Sequence, residues 1–558
     1  MKCYSDEITA RYHASGVWDD ITWNDYITAH AEANPDAEAI VDQPDKAEIM
    51  GLEPLRLTWR QVRHRIDGLA LGLLDAGVRT GDVVFVQLPN STEYVFLHLA
   101  LDRIGAIGTF APMRQRASEV RYAINKTRAR VAVCFGEFLG YDYLGMIDRL
   151  KPDCPTLDSV IVLGGGGRAE ADFELSAMIQ DADPRRLGEL DALRPSADDV
   201  LTLCLTTGTE SFPKVVPKTT NGWKVVTRAL LAATGLDADS VFSGPFPYAN
   251  MGGLGVELYP WIMAGGKFVV HEPFDVDVFL RQITDEKVNY IIAVPAIYFA
   301  MLNHPELDST YDISSFTVVG CGGEAPPHTI IEALDARGIS VINEFGATEG
   351  WVMFTLPDQE LEERKDLFRL AEVRKLLPED FKALEPGSEE EVSPGTPGEL
   401  AVRGPSVFSG YLDADEVNAR SFTSDGFFRT GDLVTIGDDE TLRYVGRVKD
   451  MIIRSGQNIS PAEIELIVQR HPSVYEVSVI GIPHPVRGQL VCACVSLKPG
   501  SAGLTLEDLQ EFMRGREVAR YKIPEQLEIV EELPKGPSGK ILKRSLRDQF
   551  AASPSQAS

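Results

Sequence analysis

The sequence lacks an excess of positive charge, a long apolar run and an apolar signal core. Its 54 Lys and Arg residues are outnumbered by 83 Asp and Glu, so the formal net charge is −29. Such a charge argues against a nucleic-acid or anionic-membrane surface. No stretch reaches the roughly 18 to 20 apolar residues that a membrane span needs, and the start, MKCYSDEITARYH, is polar. We therefore expect a cytoplasmic protein with no membrane span and no nucleic-acid partner.

The cysteines show no metal-ligand spacing, and their odd number suits a reducing compartment. The seven are Cys3, Cys134, Cys154, Cys204, Cys321, Cys492 and Cys494. Cys492 and Cys494 alternate in LVCACVSL, so on a strand they would share one face and pack there. Disulfides are not expected.

The length of 558 residues exceeds what one hydrophobic core supports, which predicts at least two domains. Helix and strand signals alternate along the chain. In LTWRQVRHRIDGLALGLLDAG, Thr58 and Gln61 form a possible capping box, and Gly77 supplies a C-terminal stop. GDVVFVQLPN then predicts a buried strand. The alternation favours an α/β fold with mostly parallel sheets covered by helices.

A change in composition marks the second half of the chain. The acidic segment 359–400, rich in Pro and Gly, predicts a surface excursion. Short strands separated by Gly and Asp then predict a smaller β subdomain, and a compact α+β portion follows. We expect a domain junction near 447–450.

TTGTESFPK, residues 206–214, directly follows the strand-like VLTLCL. Its small residues Thr206, Thr207, Gly208 and Thr209 would let backbone N–H groups approach phosphate oxygens, and Lys214 would add a charge. The pattern is not G-x-x-x-x-G-K-[ST], so a plain turn is the alternative.

Five stretches occur in one order along the chain: TTGTESFPK, INEFGATEG, FFRTGDL, GRVKDMIIRSGQNISPAEIE and PKGPSGKILKR. Together they resemble the adenylate-forming (AMP-binding) superfamily, which includes acyl-CoA and aryl-CoA synthetases, aryl-acid AMP ligases, carrier-protein adenylation domains and luciferases. The resemblance covers almost the whole chain.

The resemblance implies a large multi-subdomain N-terminal domain, 1–446, with helix-covered sheets and a β subdomain. A small mobile α+β C-terminal domain, 447–558, would follow, with the active site between the two. It also implies a reaction in which ATP and a carboxylic acid give an acyl adenylate and pyrophosphate, after which the acyl group passes to a thiol.

The stretch NEFGATEG supplies four residues of the implied site. Asn343 and Phe345 resemble the residues that meet adenine, although the family usually has Tyr at position 345. Thr348 resembles the contact to the α-phosphate, and Glu349 resembles the Mg²⁺ ligand. A carboxylate suits this hard cation, which prefers oxygen ligands.

Other nucleotide contacts follow from three further motifs. Gly323, Glu324 and Ala325 in CGGEAPP resemble the turn that lines adenine. Asp432 in RTGDL would accept hydrogen bonds from the ribose hydroxyls, and Arg447 would add a donor.

The C-terminal motifs imply a hinge and a catalytic lysine. Lys449 matches the family's hinge position, where a few backbone dihedrals swing the C-terminal domain. Lys540 in GPSGK resembles the lysine that reaches the carboxylate and the α-phosphate during adenylation.

Glu210 and Ser211 depart from the family pattern, which has Thr and Gly at these positions. A carboxylate about 6 Å from one phosphate charge would cost roughly 3 kcal/mol at an effective dielectric of ~20. Three interpretations stay open: Glu210 points outward, it helps to hold Mg²⁺, or the loop has lost its ATP function.

GPFPYANMGGLG marks the implied acid pocket, whose candidate residues are Tyr248, Asn250, Met251, Cys321, Gly346 and Trp351. Tyr248 stands where many acyl-CoA synthetases have histidine, while VVPKTTNGW resembles aryl-acid AMP ligases. No aspartate in PFPYANMG could hold an α-ammonium group, so an aromatic, alicyclic or medium-chain acid is favoured. Packing in the core is an equal alternative for Met251 and Cys321.

The thiol acceptor leaves alternatives. SGQNISPAEIE and LKPG resemble CoA ligases, with Arg454 or Lys522 as candidate contacts for the CoA phosphates. The leading hypothesis is a carboxylic acid:CoA ligase that uses ATP, Mg²⁺ and CoA. The alternatives are a stand-alone acid:AMP ligase that loads a carrier protein, and a non-catalytic nucleotide-binding relative.

Overall fold

The computed structural model describes residues 1–193, 195–206, 213–455, 457–501, 503–516, 518–535 and 541–550. Its first helices are α1 (Asp6–Ala14), α2 (Trp23–Ala33), α3 (Lys46–Met50), α4 (Trp59–Asp75), α5 (Thr92–Ile104), α6 (Ala117–Thr127), α7 (Tyr143–Leu150), α8 (Leu175–Met178) and α9 (Leu187–Asp191). The strands among them are β1 (Glu38–Val41), β2 (Arg56–Thr58), β3 (Val83–Gln87), β4 (Ile107–Phe110), β5 (Val131–Phe135), β6 (Glu137–Phe138), β7 (Tyr141–Asp142), β8 (Ser159–Leu163), β9 (Phe173–Glu174) and β10 (Val200–Leu205).

The middle of the chain continues the alternation. Its helices are α10 (Thr220–Thr234), α11 (Tyr259–Ala264), α12 (Val276–Glu286), α13 (Pro295–Leu302) and α14 (His328–Asp335), with a π-helix at Gly252–Leu258. Its strands are β11 (Val215–Thr219), β12 (Val241–Gly244), β13 (Lys267–Val270), β14 (Tyr290–Ala293), β15 (Val318–Gly322), β16 (Ser340–Gly346) and β17 (Val352–Phe354).

The remaining elements are richer in strands. They are β18 (Leu367–Arg369), α15 (Leu370–Leu376), β19 (Asp380–Leu384), β20 (Gly398–Arg403), α16 (Asp415–Ser421), β21 (Phe428–Ile436), β22 (Thr441–Arg447), β23 (Ile452–Arg454), β24 (Gln457–Ile459), α17 (Pro461–Val468), β25 (Val474–His484), β26 (Gly488–Leu497), α18 (Leu506–Arg514), β27 (Gln526–Ile529) and α19 (Lys543–Phe550). A 3₁₀ turn, Val448–Asp450, connects β22 to β23.

Two large sheets dominate the described residues before β18. One has eight strands in the order β2-β1-β13-β12-β14-β15-β16-β17, and the other has seven in the order β11-β10-β4-β3-β5-β8-β9. The pairs are parallel except β1 with β2, β16 with β17 and β10 with β11. Strands such as β3 and β5 are buried along their whole length, which explains their continuous apolar sequences. The predicted α/β class and the mostly parallel sheets are confirmed.

Two smaller sheets follow. Strands β18-β22-β21-β20-β19 form an antiparallel sheet that corresponds to the predicted β subdomain. The last five strands, β23 to β27, form a sheet of their own, in which Cys492 and Cys494 are buried on the same face of β26. All seven cysteines are free thiols. Among the described residues, no helix combines the length and the apolar character needed to cross a bilayer.

Local signals predicted α4 well and the acidic segment only in part. The Thr58 and Gln61 capping box is present in both directions, and the helix ends two residues before Gly77, whose φ is +88°. The predicted surface excursion at 359–400 is wrong for β18, α15 and β19, where Phe368 and Leu370 are fully buried. Their apolar side chains pack into the β subdomain although charged neighbours dominate the composition.

A buried ion-pair cluster joins the segment after β1 to the start of α5. The Lys46 side chain is 1% exposed, and its Nζ lies 2.6 Å from Asp42 Oδ2 and 2.8 Å from Glu93 Oε1. Asp42 also accepts hydrogen bonds from the backbone amides of Thr92 and Leu55. Charges withdrawn from water need such partners, so the cluster fixes the start of α5.

Replacing Lys46 with methionine should lower the free energy of unfolding by about 3–5 kcal/mol, because Asp42 and Glu93 would stay buried without a cation. Urea titration followed by circular dichroism measures the change. Lys2→Met, at an exposed side chain, is the matched control. A loss below ~1 kcal/mol, the range of surface pairs, would contradict the ion-pair account.

Candidate active site

The ends of the predicted phosphate loop are joined by two hydrogen bonds. The Thr206 amide donates to the Lys214 carbonyl at 2.9 Å, and the Lys214 amide donates to Thr206 Oγ1 at 3.0 Å. The two ends of the loop, after β10 and before β11, are therefore held next to each other. Five of its predicted residues lie outside the described residues: Thr207, Gly208, Thr209, Glu210 and Ser211.

Lys214 and Glu349, predicted from separate motifs, meet at one side chain. Lys214 Nζ lies 4.8 Å from the centroid of the Tyr411 ring, and Tyr411 Oη donates to Glu349 Oε1 at 2.6 Å. The Phe408 amide also donates to the Glu349 carbonyl at 2.8 Å. Tyr411 was missed in the sequence, where only its place in SGYL, 62 residues beyond Glu349, was visible.

The turn that carries Glu349 is held tightly. The Gly350 amide donates to the Ala347 carbonyl at 2.9 Å, and the half-buried Thr348 lies within this turn. Gly350 has a φ of +114°, and a Cβ there would lie 2.1 Å from the Ser406 carbonyl oxygen. Only glycine fits this position without displacing the backbone.

A buried lysine that sequence analysis missed lies beneath the turn. Lys218 is on β11, and its Nζ donates to the Ser406 carbonyl at 3.3 Å and lies 4.6 Å from the Trp223 ring centroid. Burial lowers the pKa of Lys218 to about 8. This buried side chain lies close to the Glu349 turn, since a Cβ on Gly350 would lie 2.3 Å from Lys218 Nζ.

Phe345 lies in an aromatic cluster. Its ring centroid is 4.8 Å from that of Trp351, 5.7 Å from that of Phe368 and 5.3 Å from that of Tyr444. Trp351 is fully buried behind it. Phe345 itself is half-buried, so part of its ring stays accessible to a planar base.

The other predicted adenine contacts differ in exposure. Gly323, Glu324 and Ala325 form an exposed turn just after β15, where Gly323 has a φ of +83°. Asn343 is buried, and its side-chain amide donates to the Lys365 carbonyl at 2.6 Å.

Asp432 and Arg447 lie opposite each other on β21 and β22. Arg447 Nε is 2.9 Å from Asp432 Oδ1, and the Asp432 side chain is buried. The Asp432 carboxylate raises the pKa of Arg447. Lys449 is exposed in the 3₁₀ turn that follows, whereas Lys540 lies outside the described residues.

The predicted acid-pocket loop is fixed through its backbone by Asn90. Asn90 Nδ2 donates to the Phe246 carbonyl at 2.8 Å, and the Tyr248 amide donates to Asn90 Oδ1 at 2.9 Å. Tyr248 is fully buried, with its ring centroid 5.4 Å from that of Tyr94.

The remaining pocket candidates lie around this loop and the Glu349 turn. The Asn250 amide donates to the Pro247 carbonyl, and Met251 is half-buried at the start of the π-helix. Cys321 is buried near the end of β15. A Cβ on Gly346 would lie 2.6 Å from the Trp351 carbonyl oxygen, so this glycine permits the close approach of β16 and β17.

No three His, Cys, Asp or Glu side chains of the described residues come together as a metal site. Glu349 stays the predicted Mg²⁺ ligand, and Glu210, which the sequence left open as a second carboxylate, lies outside the described residues. Water and the phosphates of a bound nucleotide usually supply the remaining ligands of this ion.

Glu379 holds Ser406, the residue whose carbonyl accepts from Lys218. The Ser406 amide and hydroxyl both donate to Glu379 Oε1, and Oε2 has no hydrogen-bond partner within the described ranges. Burial raises the pKa of Glu379 from 4.5 to about 7. Between these pH values the unfolded chain ionises while the folded protein keeps its proton, so stability falls as the pH rises.

Glu379→Gln should remove this pH dependence. Relative to wild type, the variant should gain about 3 kcal/mol of stability between pH 4.5 and pH 8, since each pKa unit is worth ~1.4 kcal/mol. Urea titrations at both pH values measure the difference. Glu385→Gln, at an exposed side chain, is the control. An equal difference at both pH values would show that Glu379 is already ionised in the folded protein.

Two family models match this chain. Residues 27–412 match the family model described as AMP-binding enzyme, and residues 463–540 match the AMP-binding enzyme C-terminal domain. A Streptomyces sp. protein named Salicylyl-CoA synthase / salicylate adenylyltransferase is 32% identical over 97% of this chain and 96% of its own length. The 2,3-dihydroxybenzoate-AMP ligase of Bacillus subtilis is 29% identical over 98% of this chain and 97% of its own.

Solved structures show the same fold. An anthranilate CoA ligase in complex with anthranoyl-AMP has a TM-score of 0.80 at 23% identity and covers 96% of this chain and 98% of its own. ATP-bound MatB from Rhodopseudomonas palustris has a TM-score of 0.78 at 23% identity and covers 95% and 99%. The predicted fold and the predicted AMP-forming acid ligase chemistry are confirmed, and the chain belongs to the AMP-binding enzyme family.

Proposed function

We propose that the chain is an ATP-dependent carboxylic acid:CoA ligase that works through an acyl adenylate. The observation that carries the proposal is the contact of Lys214 and Glu349 with Tyr411, beside the closed base of the phosphate loop. A cation and a carboxylate at one point are what a magnesium–polyphosphate group requires.

In the proposed first step, a carboxylate oxygen of the acid attacks the α-phosphorus of ATP. The bond from that phosphorus to the bridging oxygen breaks, and pyrophosphate leaves with the electron pair. Lys214 would attract the phosphates, and Glu349 would hold Mg²⁺, which neutralises charge on them. Thr348 would donate its hydroxyl to an α-phosphate oxygen, and Lys540 would stabilise the charge that develops there.

The nucleoside would lie between the two large sheets and the β subdomain. Asp432, an acceptor-only group, would take hydrogen bonds from the ribose hydroxyls, with Arg447 holding the carboxylate in place. Phe345 would offer its accessible ring face to adenine, and the turn Gly323–Ala325 would line its edge. Asn343 would act through its side-chain oxygen, since its side-chain nitrogen donates to Lys365 and its backbone amide donates to Thr355.

We further propose that residues 447–558 move as a C-terminal domain about Lys449. The 3₁₀ turn Val448–Asp450 lies between the last strand of the β subdomain and the last sheet, where few residues have to change conformation. One arrangement would bring Lys540 to the adenylate, and the other would admit the thiol.

CoA is the preferred acceptor, and a carrier protein is the alternative. Similarity to both a salicylyl-CoA synthase and an AMP ligase is compatible with either acceptor. Arg454 and Lys522, the candidate contacts for CoA phosphates, are already paired with Glu525 and Glu463. A CoA phosphate would have to displace these carboxylates. Experiment therefore has to distinguish CoA from a carrier protein as the acceptor. The substrate would be a small aromatic, alicyclic or medium-chain carboxylic acid. The enzyme would act on it in the cytoplasm.

The decisive experiment measures pyrophosphate release with ATP, Mg²⁺ and a panel of benzoates, cinnamates, alicyclic acids and medium-chain acids, with and without CoA. Lys540→Ala should lower the adenylation rate about 10²- to 10³-fold, by analogy with other preorganised donors. Lys535→Ala, on the same C-terminal segment, is the matched control.

Acid-dependent pyrophosphate together with acyl-CoA would establish the ligase. Adenylate without transfer to CoA would favour the carrier-loading alternative. Nucleotide binding without turnover across the panel would favour the non-catalytic relative and would implicate Glu210.

Asp432→Asn should raise the KM for ATP about tenfold or more with a smaller effect on kcat, because a neutral amide is a weaker acceptor for the ribose hydroxyls than a carboxylate. Steady-state pyrophosphate release at varied ATP measures both constants. Asp439→Asn, on the exposed turn between β21 and β22, is the control. An unchanged KM would remove Asp432 from the nucleotide site.

A further inference from the structure

Two carboxyl groups are buried over one face of the eight-stranded sheet. Glu344 on β16 accepts a hydrogen bond from Tyr290 Oη on β14 at 2.7 Å. The Tyr290 ring contacts Phe242 on β12, and Gly244, two residues further on, shares the face of Phe242. A Cβ on Gly244 would lie 1.9 Å from Glu257 Oε1, so Glu257 covers the same face.

Each carboxyl group is only partly satisfied. Glu257 is 0% exposed and Glu344 is 7% exposed. Glu257 Oε1 accepts a long hydrogen bond, 3.4 Å, from the Phe246 amide. In the described part of the chain, the Oε2 atoms of both residues have no hydrogen-bond partner, and no Lys, Arg or His is paired with either.

A third buried polar atom belongs to the acid-pocket loop. Tyr248 Oη is fully buried and has no partner among the residues that the structure describes. Besides burial, the nearby Glu257 carboxylate is the largest influence that raises the pKa of Tyr248. The Glu344 charge likewise adds to the effect of burial in raising the pKa of Glu257. Because Phe246, two residues before Tyr248, donates its amide to Glu257, the three groups belong to one buried region.

This region adjoins the predicted acid-pocket loop, because Glu257 accepts a hydrogen bond from the Phe246 amide of that loop. Glu344 directly precedes Phe345 on the strand that leads to the Glu349 turn. Glu257 lies on the π-helix that follows the Tyr248 loop. A Cβ on Gly320 would lie 2.2 Å from Glu344 Oε1, so glycine on the neighbouring strand leaves the room that this carboxyl group occupies.

We infer that Glu257 and Glu344 bind a nitrogen N–H donor, an amine, on the acid substrate at a position remote from its carboxylate. The inference rests on the proposed function and names its substrate class. An acid with only apolar atoms would leave these acceptors buried and unmatched, which is costly, whereas an amine supplies two or three donors. The absence of an aspartate in PFPYANMG argues against an α-amino acid, which is why the amine is remote.

Matched pairs of acids test the inference. The pairs are 4-methylbenzoate with 4-aminobenzoate, 4-ethylbenzoate with 4-(aminomethyl)benzoate, the corresponding 3-substituted acids, and heptanoate with 6-aminohexanoate. Arylamines are neutral at pH 7 and the alkylamines are charged, so the series separates a neutral donor from an ammonium group. In at least one pair, kcat/KM for pyrophosphate release should be tenfold or more higher for the amine.

Burial raises the pKa of Glu344 to about 8 and that of Glu257 well above its ordinary value, so both carboxyl groups hold their protons more strongly than usual. Glu344→Gln and Glu257→Gln should each reduce that preference at least fivefold, because an amide cannot ionise to give the stronger acceptor that a bound amine favours. Glu332→Gln, at an exposed glutamate, should leave the preference unchanged. Circular dichroism checks that each variant is folded.

A binding measurement separates failure of the inference from failure of the proposed function. Calorimetric titration of the same acids, with a non-hydrolysable ATP analogue present, needs no turnover. Tighter binding of an amine than of its apolar partner, weakened in the glutamine variants, supports the inference even if pyrophosphate release fails. Equal or weaker binding of every amine, or a preference that both variants retain, overturns it while leaving acid activation intact.

Discussion

The hydrogen bond from Tyr411 to Glu349 is the contact on which the candidate site depends. It joins the turn after β16 to the loop after β20, while the ring of Tyr411 holds the side chain of Lys214 from the phosphate loop. Beneath it, Lys218 on β11 donates to the Ser406 carbonyl of the loop after β20. Three segments far apart in sequence are thereby brought to one point.

Local sequence patterns predicted the parts of the molecule that depend on neighbouring residues. The capping box of α4, the buried strands and the alternation of helices with strands all arise within short windows. Tyr411, Lys218 and Glu379 could not be found in this way, because their partners are distant in the chain. Their residue types alone suggest a surface tyrosine, a surface lysine and a surface glutamate.

The predicted acid pocket also contains a residue whose role could not be predicted from its sequence neighbours. In VINEFG, Glu344 reads as a polar residue in a strand, and nothing in its neighbours indicates that it is buried. The buried Lys46, by contrast, is paired with two carboxylates. Glu257 and Glu344 lack such a cation among the described residues, and each keeps one oxygen without a partner there.

Asn90 fixes the acid-pocket loop through backbone groups at Phe246 and Tyr248 and makes no use of their side chains. The backbone conformation of the loop therefore does not depend on which side chains it carries at these positions. Asn250 and Met251, two of the predicted pocket residues, can therefore be exchanged on an unchanged backbone, provided that Asn90 is kept. The same independence would allow natural variation to change the accepted acid in single substitutions.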